Sequence, residues 1–151
     1  MRIGSNATLD QGALGFSLPA SIGVKLAKPE APVFCFNGDG GFAMNMQELE
    51  TAVRCKVNPI IFVLNNFSWG VEKSYQRDFF NGRYVGANIG NPRFDLLAES
   101  FGAHGHRLER LGDLGDIVKE GLKSDLPTVI DVIVDPDELV GLRKDAVKSK
   151  N

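Results

Sequence analysis

The sequence predicts an α/β fold of three-layer αβα type, in which a mainly parallel sheet lies between two layers of helices. Continuous apolar runs, typical of strands buried on both faces, occur at residues 33–36, 60–64 and 128–134. The segments between these runs carry apolar residues at helical spacing. Because strands joined by crossover helices run in the same direction, this alternation favours a parallel sheet. Ligands of such sheets bind beyond the carboxyl ends of the strands.

Length and composition fit a single globular domain covering residues 1–151. The net charge of −2 gives no electrostatic basis for binding nucleic acid or an anionic membrane. No apolar run approaches the roughly 18 residues needed to span a bilayer, and the N-terminus lacks the pattern of a secretory signal. The two cysteines, Cys35 and Cys55, do not make a disulfide framework, so a cytoplasmic location is expected.

In the first half of the chain, helical and extended patterns alternate up to the second apolar run. Asn58-Pro59 ends a helical pattern and begins the strand at 60–64. The other expected elements are coil over 1–10, a helix over 12–27 that Pro19 interrupts near its start, the strand 33–36, a glycine turn, and a helix over about 45–56.

The second half contains one segment, residues 69–91, that mixes aromatic, charged and glycine residues. We expect a short helix there followed by a long loop, and a loop of that length in a compact domain is usually functional or mobile. The remaining expected elements are a helix over 94–101, a strand over 104–108, a helix over 114–122, the strand 128–134, and a basic helix or tail over 138–148.

Two polar motifs follow the first two strands. Gly38-Asp39-Gly40-Gly41 comes after the first strand and Asn65-Asn66 ends the second, with twenty-four residues between Gly40 and Asn65. Parallel strands deliver these side chains to the same edge of the sheet. A carboxylate and an amide oxygen beside glycine N–H groups suit a divalent cation that holds a phosphate group.

Two other readings of the glycine motif are weaker. Asp-Gly is a common turn dipeptide, and residues 38–43 also fit the dinucleotide pattern G-x-G-x-x-A. A nicotinamide-dependent oxidoreductase, however, needs an acidic residue about 20 positions on for the ribose, where this chain has Asn65-Asn66. The carboxylate of Asp39 would also repel a bare pyrophosphate unless a cation lay between them. The pair of motifs therefore favours a metal-bridged diphosphate.

The segment from Gly38 to Asn66 resembles the cofactor signature of thiamine-diphosphate-dependent enzymes, which is Gly-Asp-Gly followed some twenty-five residues later by Asn-Asn. The resemblance implies thiamine diphosphate and Mg²⁺ as cofactors. It assigns Mg²⁺ to the side chains of Asp39 and Asn66 and to the carbonyl of Ser68. It assigns the diphosphate to the loop residues Gly38, Gly40 and Gly41.

The resemblance extends upstream, where residues 12–23 are similar to the aminopyrimidine-side segment of the acetolactate synthase group. It implies that Gly12 presents its carbonyl to the amino group of the cofactor. It also implies that Leu14 is the bulky residue that wedges the cofactor into its bent shape. The alternative for Leu14 is an ordinary core leucine on a helix.

Within that group, residues 69–80, 82–86 and 142–146 resemble the sulfoacetaldehyde acetyltransferase branch. That branch converts sulfoacetaldehyde and phosphate to acetyl phosphate and sulfite. A guanidinium fork matches a sulfonate well, so Arg77 and Arg83 are substrate candidates, with solvated surface arginines as the alternative. An acetolactate synthase or 2-oxoacid decarboxylase module is the alternative function within the family.

Enzymes of this family resemble one another in needing a second, pyrimidine-binding module, which supplies an activating glutamate. The resemblance covers this chain only with the diphosphate module, so we assign no catalytic residue here. Eleven residues precede Gly12, and N-terminal truncation is expected. The partner is then that module, in the full-length protein or in a separate subunit, within a homo-oligomer. The isolated chain is expected to be inactive, and a non-catalytic cofactor-binding or interaction domain remains the alternative of another class.

Overall fold

In the computed structural model, residues 13–139 and residue 141 are described, and they form a parallel sheet flanked by helices. The order across the sheet is β1-β2-β4-β3, and every pair of neighbours runs parallel. The strands are β1 (Phe34–Gly38), β2 (Ile60–Asn65), β3 (His104–Leu108) and β4 (Thr128–Ile133). The predicted α/β class and the four predicted strands are confirmed.

Five of the helices divide between the two faces of the sheet and build two apolar cores. Side chains of four helices, α1, α2, α3 and α5, pack with Cys35, Ile61, Val63 and Val129 on one face. Side chains of α6 pack with Ile60, Phe62, Leu108 and Ile130 on the other face. The helices are α1 (Ser17–Ala27), α2 (Asp39–Asn45), α3 (Glu48–Arg54), α4 (Gly70–Phe79), α5 (Phe94–Ser100) and α6 (Leu114–Gly121), with a 3-10 turn at Leu111–Asp113.

The second face of the sheet is covered only in part. Phe34 and Phe36 on β1 are 46% and 62% exposed, and Leu64 on β2 is 43% exposed. The ring of Phe36 stacks on that of Phe62 at a centroid distance of 4.7 Å, which buries Phe62 but leaves the outer ring in solvent. The layer of helices expected on both faces is therefore continuous on one face and incomplete beside β1 on the other.

The first helix begins later than the sequence predicts. Gly15 adopts a left-handed conformation with φ of +79°, which ends any helical path through it, and α1 starts at Ser17. The carbonyl of Gly15 accepts a hydrogen bond of 2.9 Å from Nδ2 of Asn45, which ties this turn to α2. Pro19 lies in the first turn of α1, where its missing N–H has no intrahelical partner to lose, so it does not interrupt the helix.

The prediction of a helix over 45–56 is wrong at the start of the helix. The chain turns directly from β1 into α2 at Asp39, so Asp39, Gly40 and Gly41 begin a helix instead of forming a separate loop. Phe42 is 1% exposed and meets the ring of Phe94 edge-on at 5.2 Å. This packing stabilises a helix whose two glycines have poor intrinsic helix propensity. A bend follows Asn45, and α3 starts at Glu48.

The segment 69–91 forms α4 and then a loop, as predicted, and Gly102 with φ of +82° follows the end of α5. Among the described residues no helix is long and apolar enough to cross a bilayer. Both cysteines are free thiols, and burial raises the pKa of Cys35. Glu138 is held in a turn by a hydrogen bond from its N–H to the carbonyl of Asp135. The predicted coil over 1–10, and residues 142–148 of the predicted basic helix or tail, lie outside the described residues.

Candidate functional site

The carboxyl ends of β1 and β2 bring the two polar motifs together. Gly38 pairs in register with Leu64, so Asp39 and Asn65 leave the sheet side by side. Asp39 is only 2% exposed. Its Oδ1 accepts a 2.9 Å hydrogen bond from the N–H of Gly40, and its Oδ2 accepts a 2.7 Å hydrogen bond from Nδ2 of Asn91. A buried carboxylate therefore lies at the sheet edge with both of its oxygens oriented.

The negative charge of Asp39 has only neutral partners. Within residues 13–139, no lysine, arginine or histidine side chain forms an ion pair with it. A buried charge without an opposite charge is costly, whereas two neutral donors leave lone pairs on both oxygens free. Such a carboxylate fits a bound cation, which would supply the missing positive charge.

The structure separates the two asparagines of the second motif. Asn65 is 1% exposed, and its Nδ2 donates a 2.9 Å hydrogen bond to Oδ1 of Asp131 on β4. Asn66 is half-buried, and its Oδ1 accepts a 3.1 Å hydrogen bond from the N–H of Ser68. Asn65, the last residue of β2, is thus tied to the buried Asp131, whereas Asn66 lies just beyond the end of the strand. The amide oxygen of Asn66 is a hard oxygen of the kind that Mg²⁺ binds, and its assignment to an ion stays a prediction.

Ser68 lies in a tight turn that follows Asn66. Phe67 adopts a left-handed conformation with φ of +56°, and Ser68 pairs with Asn88 in an antiparallel bridge. The side chain of Ser68 is buried, yet its Oγ has no hydrogen-bond partner among the described residues. A buried hydroxyl without a partner is rare, which fits a loop built to contact a bound polar group.

The two glycines of α2 lie against side chains from other parts of the chain. A Cβ atom on Gly40 would be 2.4 Å from the Trp69 ring, and one on Gly41 would be 3.9 Å from Cδ2 of Leu14. Leu14 is 56% exposed, so it is not a core leucine of the described chain. Gly12 lies outside the described residues. The structure therefore brings Leu14, Gly41 and Asp39 to one end of the sheet.

Gly40→Ala is expected to displace the Trp69 ring, because no side chain accommodates a contact of 2.4 Å. Overpacking of this kind typically costs about 1–3 kcal/mol. Trp69 is the single tryptophan of the chain, so its emission spectrum reports the change directly. An emission maximum and a melting temperature equal to those of the wild type would contradict the close contact; Gly23→Ala on α1, with open space at its Cβ position, is the matched control.

Asp131 and Asn91 belong to this site although the sequence did not assign them to it. Asp131 is fully buried, and burial raises its pKa, while the hydrogen bond from Asn65 and the charge of Arg107 oppose the rise. Nη1 of Arg107 lies 3.8 Å from Oδ2 of Asp131. The signal for Asp131 was a carboxylate inside an apolar strand, and its partner became visible only with the pairing of β2 and β4. Asn91 carried no signal beyond its position before Pro92 and α5.

The two predicted substrate arginines lie on α4 and in the loop that follows it. Nε and Nη2 of Arg77 donate hydrogen bonds of 2.7 and 3.0 Å to the two carboxylate oxygens of Asp78. Its guanidinium fork is therefore already paired with a carboxylate. Arg83 is exposed in the loop. Their assignment to a substrate stays a prediction.

Comparison with known proteins decides the family. Residues 5–132 match the model of the thiamine pyrophosphate enzyme C-terminal TPP-binding domain. The chain belongs to this family. The TPP-binding domain described above thus carries Asp39, Asn66 and the glycines of α2 inside the matched region.

Individual relatives agree with this assignment. The domain is 35% identical over 93% of its length to a probable acetolactate synthase large subunit from Methanococcus aeolicus, and it spans 24% of that relative. It is 32% identical over 93% of its length to a sulfoacetaldehyde acetyltransferase from Castellaniella defragrans, again spanning 24% of the relative. The TPP-binding domain therefore corresponds to about a quarter of these longer enzymes.

A solved structure confirms the fold. The thiamine diphosphate-dependent 4-hydroxybenzoylformate decarboxylase of Rhodococcus jostii RHA1 superposes with a TM-score of 0.79 at 32% sequence identity. The superposition covers 85% of the TPP-binding domain and 24% of the decarboxylase chain. The names of these three relatives refer to three different activities, so likeness to them does not single out one substrate.

Proposed function

We propose that this chain binds thiamine diphosphate through Mg²⁺ at the carboxyl ends of β1 and β2. The observation that carries the proposal is the buried carboxylate of Asp39, which has only neutral hydrogen-bond partners and lies beside a second motif with an amide oxygen at Asn66. Family membership supports thiamine diphosphate as the organic ligand. The donor set of hard oxygens supports Mg²⁺ as the ion.

Each part of the site has a proposed role. The side chains of Asp39 and Asn66 and the carbonyl of Ser68 hold the ion. The backbone around Gly38, Gly40 and Gly41 receives the diphosphate. Leu14, exposed beside Gly41, offers an apolar surface to the ring system, and Gly12 precedes it.

Thiamine diphosphate, when bound, supplies the electron sink for breaking and forming carbon–carbon bonds. The residues of this chain bind and orient the cofactor. Asp39 balances the charge of the ion, which in turn screens the diphosphate from the carboxylate. The half-buried Trp69, packed on Gly40, and the exposed Leu14 limit the room available at the two glycines.

For turnover we propose a pyrimidine-binding module as the partner, within the full-length protein or in a separate subunit of a homo-oligomer. The relatives are about four times longer than the aligned domain, because the chain spans 24% of each. The activating glutamate is assigned to that module, so the isolated chain is expected to bind cofactor without turning over substrate.

For the substrate we propose the sulfoacetaldehyde acetyltransferase reaction, on the likeness of residues 69–80, 82–86 and 142–146 to that branch. Identity of 32% to such an enzyme supports it, and identity of 35% to an acetolactate synthase favours acetolactate synthesis as a second candidate. An activity assay of the chain together with its pyrimidine-binding module distinguishes the two candidate reactions. Sulfite release from sulfoacetaldehyde supports the first candidate, and acetolactate formed from pyruvate supports the second.

The binding proposal is tested by the melting temperature of the 151-residue chain. Mg²⁺ with thiamine diphosphate is expected to raise it, because a ligand that binds only the folded state stabilises that state. Thiamine diphosphate with EDTA is expected to give a much smaller rise, and NAD without metal none. A chain that NAD stabilises and thiamine diphosphate does not would overturn the proposal in favour of a nicotinamide enzyme. A chain that neither ligand stabilises would favour an interaction domain.

A further inference from the structure

Asn91 reaches the site from a loop that is fastened to the turn around Ser68. The N–H of Trp69 donates a 2.7 Å hydrogen bond to the carbonyl of Ala87, and the N–H of Ile89 donates a 2.9 Å hydrogen bond to the carbonyl of Phe67. These bonds lie on either side of the bridge between Ser68 and Asn88. The loop after α4 therefore returns on a defined path.

The amide of Asn91 bridges the two motifs of the site. Its Nδ2 donates to Oδ2 of Asp39 at 2.7 Å and to Oδ1 of Asn65 at 2.9 Å. An amide nitrogen carries two hydrogens, so each acceptor receives one of them. The donor capacity of this nitrogen is thus fully used by the ends of β1 and β2.

The orientation of the Asn65 and Asn91 amides follows from their hydrogen-bond partners. Oδ1 of Asp131 accepts a hydrogen bond from the NH₂ group of Asn65, which turns Oδ1 of Asn65 toward Asn91. The N–H of Phe67 donates to the same Oδ1 at 3.3 Å. Asn91 then faces two acceptors, Asp39 and Asn65, and only its NH₂ group can serve both.

We propose that Asn91 is a positioning residue that orients the carboxylate of Asp39 for the cation. The hydrogen bonds from Asn91 to Asn65 and from Asn65 to the buried Asp131 hold Asn91 in place. The inference rests on the proposed function. Asn91 is not a ligand itself, because its nitrogen and not its oxygen faces Asp39. A neutral donor fixes the carboxylate without cancelling the charge that attracts the ion, whereas a lysine or arginine at this position would compete with it.

The test compares Mg²⁺ affinity in the wild type, Asn91→Ala and Asn88→Ala, in the presence of a fixed excess of thiamine diphosphate. Trp69 fluorescence follows the titration, since the Trp69 ring lies against the helix that begins at Asp39. Asn91→Ala is expected to weaken the apparent Mg²⁺ affinity about 10–100-fold, the usual effect of losing a partner of a metal ligand. Asn88 is exposed on the same loop, so its substitution is expected to leave the affinity unchanged.

A second readout, the melting temperature in EDTA, separates positioning from a general structural role. A purely structural role would lower that temperature and leave the Mg²⁺ affinity of the folded chain at the wild-type value, which would overturn the inference. If Asn91→Ala does not fold, Asn91→Ser takes its place; its single, shorter hydroxyl donor does not reach both acceptors, and the same loss of affinity is expected. A wild type that binds no Mg²⁺ overturns the proposed function together with this inference, whereas equal affinities in wild type and variant overturn the inference alone.

Discussion

Asp39→Ala is expected to abolish the rise in melting temperature that Mg²⁺ and thiamine diphosphate give the wild type. The substitution removes the only buried carboxylate at the ends of β1 and β2 among the described residues, and with it the charge that we propose holds the ion. With ligand at 100 times its Kd, the lost stabilisation amounts to about 2.7 kcal/mol. Asn66→Ala is expected to lose most of the same rise, because it removes the second side-chain oxygen that we propose as a ligand.

The ligand-free stability serves as the internal check on that experiment. Asp39→Ala removes a buried charge that has only neutral partners, so the variant is expected to stay folded without ligand. Asp116→Ala is the matched control, because Asp116 is 80% exposed on α6 and pairs with Lys119 at the surface. A wild-type response to cofactor in Asp39→Ala would remove Asp39 from the metal site.

Phe42→Ala is expected to produce the largest loss of stability, about 3–5 kcal/mol, as is usual for a buried phenylalanine. Phe42 is 1% exposed, and its ring packs edge-on against Phe94 at 5.2 Å. For a chain of this size each kcal/mol corresponds to about 2–4 °C in melting temperature. Urea unfolding, followed by circular dichroism, measures the change in free energy.

The loss at Phe42 is also expected to weaken cofactor binding, because the same short helix carries Asp39 in its first turn. Phe80→Ala provides the control, since Phe80 is 58% exposed and such surface substitutions usually change stability by less than about 0.5 kcal/mol. A loss below about 1 kcal/mol for Phe42→Ala would mean that α2 is not anchored through this ring.

The strands could be predicted because their signal is local. The apolar runs before Asp39 and Asn65 are continuous, as buried parallel strands require, and their lengths leave no room for a helix. The placement of Asp39 and Asn66 at one edge of the sheet follows from the parallel direction of the two strands alone. The candidate ligands therefore came from the sequence together with one rule of topology.

The start of α2 could not be predicted from local preference. Gly40 and Gly41 favour a turn, but the burial of Phe42 against Phe94 outweighs the helix penalty of about 1 kcal/mol for each glycine. The start of α1, in contrast, was predicted too early. Gly15 has a left-handed conformation there, and its carbonyl accepts a hydrogen bond from Asn45, thirty residues away. Contacts between distant parts of the chain decided both boundaries.

The hydrogen bonds that link Asp39 through Asn91 and Asn65 to Asp131 also join distant parts of the sequence. Asn91 lies 52 residues from Asp39, and Asn65 lies 66 residues from Asp131. The second contact exists because β2 pairs with β4 in a register that aligns Val63 with Asp131. No pattern within either segment contains that register, so the partners of Asp39 and Asp131 emerged only from the folded chain.

We propose that a divalent cation at Asp39 holds the diphosphate of thiamine diphosphate. Isothermal titration calorimetry of the 151-residue chain with thiamine diphosphate, in Mg²⁺ and separately in EDTA, tests it most directly. We expect saturable binding at one site in Mg²⁺ and affinity in EDTA too weak to saturate. Equal affinity in the two buffers, or no binding heat in Mg²⁺, would contradict it.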